Sequence, residues 1–187
     1  ISFDSDGFTV HGSGNDTNDL NETYVAWNWK AGGAAVSNTD GSITSQVSAN
    51  PTAGFSIVTY THDGTNASTV GHGLGVTPSI IINKQRNAAS NWRCYHKSLP
   101  AGYNIQLNLT QAQGIAGDIF QTAPTSSVFT PGNGDSASGK TFVSYVFANT
   151  DGYLKAGSYT GNGVAIDGPF VYTGFRPAWV MVKASST

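Results

Sequence analysis

Residues 60–84 read YTHDGTNASTVGHGLGVTPSIIINK, and residues 159–183 read YTGNGVAIDGPFVYTGFRPAWVMVK. Laid over each other without a gap, at a displacement of 99 positions, Tyr60 falls on Tyr159, Thr61 on Thr160, Gly64 on Gly163, Gly75 on Gly174, Pro78 on Pro177 and Lys84 on Lys183. A repeat of this length sets the architecture before any single residue does. Each copy has the plan strand, loop, strand, with a β-rich run leading through a Gly/Asn/Asp turn into a second apolar run. Pro78 and Pro177 stand just before the second run, where a missing N–H is tolerated. Gly75 and Gly174 suit a turn that needs positive φ.

A second echo precedes the first. Ser127, Val128, Phe129 and Thr130, a loop, and the run TFVSYVF at 141–147 follow the order of Asp6, Gly7, Phe8 and Thr9, a loop, and TYVAWNW at 23–29. Together the echoes predict that residues 1–53 are the closing half of one repeat plus a connector, 54–151 a complete repeat, and 152–187 the opening half of a further one. Strands are expected near 55–61, 78–84, 91–97, 103–109, 127–130 and 141–148, with one short strand at 41–48. Helical periodicity is confined to Leu109, Ala112, Ile115 and Ile119, and Gly114 and Gly117 limit it to a turn or two. The fold class predicted is all-β: an antiparallel β-sandwich of jelly-roll or lectin-like character, built from a repeat of roughly 99 residues.

Charged residues make up 11% of the chain and there are 23 glycines, a balance closer to extracellular or virion β-proteins than to cytosolic enzymes. The net charge is −2 with no run of Lys or Arg, so the electrostatic footprint for nucleic acid is missing. Cys94 is the single cysteine and offers neither an internal disulfide nor metal-ligand spacing. The chain starts at Ile1, and no apolar run reaches the ~20 residues of a membrane helix; a processed product or a piece of something longer is expected. Membrane insertion is not.

Candidate chemistry is sparse. His72 sits in GHGLGV without a G-x-S-x-G partner, and its counterpart in the second copy is Val171, so a loop role is expected. His11, His62 and His96 have no partner at helical metal spacing. Asp4 and Asp6 predict a tight Asp-Gly turn and not a calcium loop. Glu22 is the only glutamate, and the aspartates sit in turn contexts, which argues against a glycosidase carboxylate pair. No metal, cofactor or catalytic residue is assigned. Trp27 and Trp29 share one face of an extended run, as Tyr145 and Phe147 do, and this recurrence predicts core packing. In NWRCYHK, Trp92 and Tyr95 point to opposite faces if the run is extended, which leaves them as candidate glycan contacts.

Taken together, YVAWNWKAG, VGHGLGV-x-P-x-I-I-I-x-K, TAPTSSVF, GSYTGNG and DGPFVYTGFRPAWVMVK resemble the repeated β-domains of structural proteins of marine bacteriophages, including tail and fibre-like proteins. The run Tyr145-Val146-Phe147-Ala148 is similar to that family's closing strand. The resemblance covers nearly the whole chain and carries no catalytic or binding residue. It implies a non-enzymatic component of an extracellular virion: a tail, fibre or surface-decoration part in assembly or host attachment. Its partners would be copies of itself, other virion proteins or a host-surface glycan. The alternative is a carbohydrate-binding, lectin-like module of a secreted or cell-surface protein. Because the chain begins and stops inside repeats, its first and last segments are expected to pack on each other or to lie at subunit contacts.

Overall fold

The computed structural model describes residues 1–11, 17–65, 67–115, 119–120, 122–132 and 138–186. The chain is all-β and antiparallel. A hairpin of β1 (Ser2–Phe3) and β2 (Phe8–Thr9) comes first. β3 (Val36–Asn38), β4 (Ser45–Asn50), β5 (Phe55–Thr61), β6 (Val70–Gly71), β7 (Ile80–Gln85), β8 (Arg93–His96), β9 (Tyr103–Gln106), β10 (Gly114–Ile115), β11 (Val128–Phe129) and β12 (Thr141–Phe147) follow. Eight of them form one sheet in the order β10-β9-β8-β7-β12-β5-β4-β3, and β6 and β11 form a separate two-stranded ribbon.

The strands of the central region fall where alternation and turn residues put them, and the exceptions are informative. Residues 31–53, expected to connect apart from one short strand at 41–48, supply two strands, β3 and β4, and β4 pairs with β5 from Ser45↔Tyr60 to Asn50↔Phe55. The central repeat is therefore not self-contained: β5 has an open edge, and the Ser, Gln and Val of β4 satisfy its backbone groups. No helical turn lies at 109–115, where Gly114 and Ile115 pair with Asn104 and Tyr103 instead; the rest of the expected turn, 116–118, lies outside the described residues. Parts of the two loops of the second echo, 12–16 and 133–137, also lie outside them.

β12 is the middle of the sheet. It pairs with β5 on one side and β7 on the other, so Phe147 stands opposite both Phe55 and Ile80. Its alternating side chains divide between two faces. Phe142, Ser144 and Val146 join Val58, Tyr60 and Ile81 on the inner face, where Val70 and Phe129 of the ribbon complete the core with Leu74, Phe120 and Ile43. Inner-face serines fasten the ribbon region: Ser45 Oγ donates to the Gly71 carbonyl at 3.1 Å and Ser56 Oγ to the His72 carbonyl at 2.7 Å. Polar residues at core positions are tolerated because each hydroxyl finds a backbone acceptor.

Between β4 and β5 the chain turns through a short 3₁₀ segment, Pro51–Ala53, capped by the Asn50 side chain and closed by Gly54 at φ 64°. A Cβ on Gly54 would meet the Ala148 carbonyl oxygen at 2.7 Å, so left-handed φ and close approach both demand glycine there.

The two sequence copies share backbone geometry at their glycines and differ in strands. Gly64 and Gly163 have φ of 80° and 72°, and Gly75 and Gly174 have 72° and 83°. Residues 60–84 hold the end of β5, all of β6 and the start of β7, whereas 159–183 hold no strand. The expectation of one local fold for both thus fails on strand content. A strand exists only with a ladder partner, and in the first copy that partner is β12; no strand stands in its place beside 159–183. Pro78 is fully buried just ahead of β7, as expected of it, but Pro177 precedes no strand.

Candidate functional site

The most exposed apolar residues lie outside the sheet, on the first and last segments. Trp27 is 62% exposed, Val25 77%, Val180 65% and Val182 63%. These segments meet at one end of the outer face. Phe55 and Phe147, opposite each other on β5 and β12, have ring centroids 4.8 Å apart. The Trp29 ring lies 6.2 Å from Phe55, 5.8 Å from Phe147 and, edge-on, 6.2 Å from Trp179. Such offset and edge-to-face contacts are favoured by the ring quadrupoles.

Hydrogen bonds tie the two segments down nearby. Asn50 Nδ2 donates to the Lys30 carbonyl and Ser48 Oγ to that of Gly33. Lys183 Nζ donates to the carbonyls of Leu109 and Gln111 at 2.8 and 3.0 Å, and Gln113 N donates to Ser185 O. The last segment therefore reaches from the aromatic cluster to the loop beyond β9. The core role expected for the Trp27–Trp29 pair is corrected: Trp29 packs on the sheet and Trp27 does not, because residues 23–29 form no strand.

Trp92 and Tyr95 separate as the alternation requires. Tyr95 is buried against Phe120, ring centroids 5.7 Å apart, so it is no glycan platform: on β8 it points to the inner face. Trp92 is 39% exposed, nearly parallel to Tyr145 at 6.5 Å, with Lys84 Nζ 5.9 Å from its ring centre.

On the inner face, Asn83 Nδ2 donates to Tyr60 Oη at 2.7 Å and to Ser144 Oγ at 2.9 Å. Burial raises the Tyr60 hydroxyl well above the usual phenol range, although its side-chain hydrogen bonds with Asn83 and Ser144 work against that shift. Beside them lies a cavity of about 20 Å³ bordered by Tyr60, His62, Asn83, Gln85, Arg93 and Phe142. That is room for about one water molecule, not for a sugar ring. Little in the sequence marks this cluster beyond Asn83 at an inward position of an isoleucine run.

His72 and His62 are both buried. His72 Nδ1 accepts from Leu74 N, leaving Nε2 to donate to the Thr125 carbonyl at 3.3 Å; His62 Nδ1 accepts from Gly64 N at 2.9 Å. Burial lowers the pKa of both, outweighing the nearby Asp40 and Asp63 charges that oppose it. The unfolded chain therefore binds protons first as pH falls through the ordinary histidine range. Stability should be full above that range and decline below it. Melting temperature is expected to fall between pH 7.5 and 5.5, and less so in His72→Asn; an equal fall in the variant would assign the loss elsewhere.

Asp4 closes the expected turn, Asp4 N donating to Gly7 O at 3.0 Å and Thr9 Oγ1 to Asp4 Oδ2 at 2.7 Å. Among the described residues, no three His, Cys, Asp or Glu are grouped to hold a metal ion, and no helix is long and apolar enough to cross a membrane.

Fold and site define an antiparallel β-protein whose accessible apolar surface is concentrated on segments outside its sheet. The chain belongs to the family described as domain of unknown function DUF7483, which matches residues 1–187. No curated protein and no solved structure matches it.

Proposed function

We propose that this chain is a non-enzymatic structural module of a bacteriophage virion, a tail, fibre or surface-decoration part that works in assembly or host attachment. Its architecture on this reading is a sandwich built from a repeat of roughly 99 residues, continued by the first and last segments. The observation that carries it is the placement of apolar residues: Trp27, Val25, Val180 and Val182 are exposed on segments outside the sheet that meet at Trp29 and Trp179. Uncovered runs of this kind recruit other strands. The resemblance to phage structural proteins supplies the setting, and copies of the chain or other virion proteins the partners.

Immunogold labelling of purified phage particles with antibodies to this chain tests the proposal. Labelling of tails, fibres or particle surfaces is expected; chain found only apart from particles would refute it. The lectin-like reading keeps one specific feature, the half-exposed Trp92 stacked with Tyr145, since a flat ring on an open face is what a sugar packs against. Retention on immobilised glycans that is lost in Trp92→Ala would favour it.

A further inference from the structure

We infer that the exposed indole of Trp92, with Lys84 beside it, binds a carboxylated sugar: a uronic-acid unit of an acidic glycan stacks on the indole and sets its carboxylate against the ammonium. The inference rests on the lectin-like reading of Trp92 given above and names the class of sugar. Charge is unevenly distributed along the chain. Residues 64–117 contain no Asp or Glu but four cations, Lys84, Arg86, Arg93 and Lys97, although the net charge of the whole is −2. No strand of the eight-stranded sheet contains a carboxylate.

Lys84 is half-buried near the end of β7, on the outer face of the sheet, and exposed Arg86 follows at the next outward position of the alternation. Lys84 Nζ donates to Ser90 Oγ and to the Gln85 carbonyl, both at 3.2 Å. Among the described residues it has no carboxylate partner. An ammonium carries three N–H donors, so one is left to meet an anion.

The indole is held in place from several sides. Trp92 N donates to Asn108 Oδ1 at 2.9 Å, and the Trp92 carbonyl accepts from Leu107 N at 2.9 Å. Its ring lies within 20° of parallel to that of Tyr145, at 6.5 Å. A ring fixed before the ligand arrives loses little freedom on binding. A pyranose offers an aromatic ring a face of C–H groups, and Trp92 keeps 39% of its surface open to receive it. A uronic acid carries its carboxylate at the rim of the sugar ring, and Lys84 Nζ stands 5.9 Å from the indole centre, at the rim of the indole. Stacking therefore brings the two charges together. A neutral sugar would leave the ammonium unanswered. A nucleic-acid backbone would need a denser array of cations than this face carries.

Affinity electrophoresis of the full chain tests this, in native gels containing polygalacturonate, alginate or hyaluronan, or the same polymers with their carboxyls reduced to alcohols. At least one acidic polymer should retard the chain, and its reduced form should bind about three- to fivefold more weakly, the size of an exposed ion pair. Trp92→Ala should weaken binding about tenfold, in the lower part of the range for a ring stacked on an aromatic side chain. Trp92→Phe keeps an aromatic face and should retain most of the binding, which separates loss of stacking from loss of fold. Lys84→Gln should lower affinity for the acidic polymer to that for the reduced one and leave the latter unchanged, a split that a merely structural lysine would not produce. Equal binding of native and reduced polymers overturns the carboxylate assignment and leaves the lectin-like reading standing. Retardation by none of the three, or retardation that Trp92→Ala does not change, overturns both. Equal retardation by single-stranded polydeoxythymidylate overturns the inference as well, since any polyanion would then serve.

Discussion

Replacing Phe129 with alanine is expected to destabilise the chain by about 3–5 kcal/mol, the range for truncating a fully buried phenylalanine. Phe129 is 1% exposed and lies edge-on to Tyr60 at 6.2 Å. Its neighbours cannot collapse into the vacated space, because the ribbon is held on both sides of it. His72 N donates to Ser127 O at 3.1 Å and Thr125 N to Val128 O at 2.9 Å, while the pairs Val128↔Gly71 and Phe129↔Val70 fix the register. Domains of this kind have only about 5–15 kcal/mol in total, so the variant should unfold at much lower urea. Phe3→Ala, at a site 91% exposed, should change stability by less than about 0.5 kcal/mol. Urea unfolding followed by circular dichroism measures both. Similar small losses at the two sites would mean that the ribbon does not pack on the sheet.

The second large effect is expected at Asn83. Asn83→Leu removes the donor to Tyr60 Oη and Ser144 Oγ, and leaves two buried hydroxyls short of a partner at about 1–3 kcal/mol each. Shape changes little, so most of the loss is electrostatic. Adding Ser144→Ala to Asn83→Leu should recover part of it, because the second change deletes one of the orphaned groups. A double-mutant cycle reads this directly. Additive losses would show that Asn83 acts by packing alone.

These two sites differ in how far sequence could find them. Phe129 lies in SSVFT, a short apolar pair between turn residues, and its strand was predictable. Its burial against Tyr60 was not, since β6 and β11 are two residues long each and nothing local says which sheet face they cover. Asn83 and Tyr60 are far apart in sequence and come together only through β12, which pairs with both of their strands. The aromatic cluster divides the same way. Alternation placed Trp29 and Trp27 on one face, but only the surroundings decided that Trp29 has Phe55 and Phe147 beneath it while Trp27 stays in solvent.

By itself the sequence determined the all-β character, the strands β5, β7, β8, β9, β11 and β12, and the positive φ of Gly75 and Gly174. Each follows from short-range physics: side-chain alternation, missing Cβ atoms and the steric limits of turns. The tertiary structure alone decided that β12 is central, that β4 pairs on the edge of β5 and brings β3 with it, and that 159–183 carries the repeat's turns without its strands. A turn is made by the residues within it, whereas a strand is stabilised by hydrogen bonds to a neighbour that the local sequence does not name.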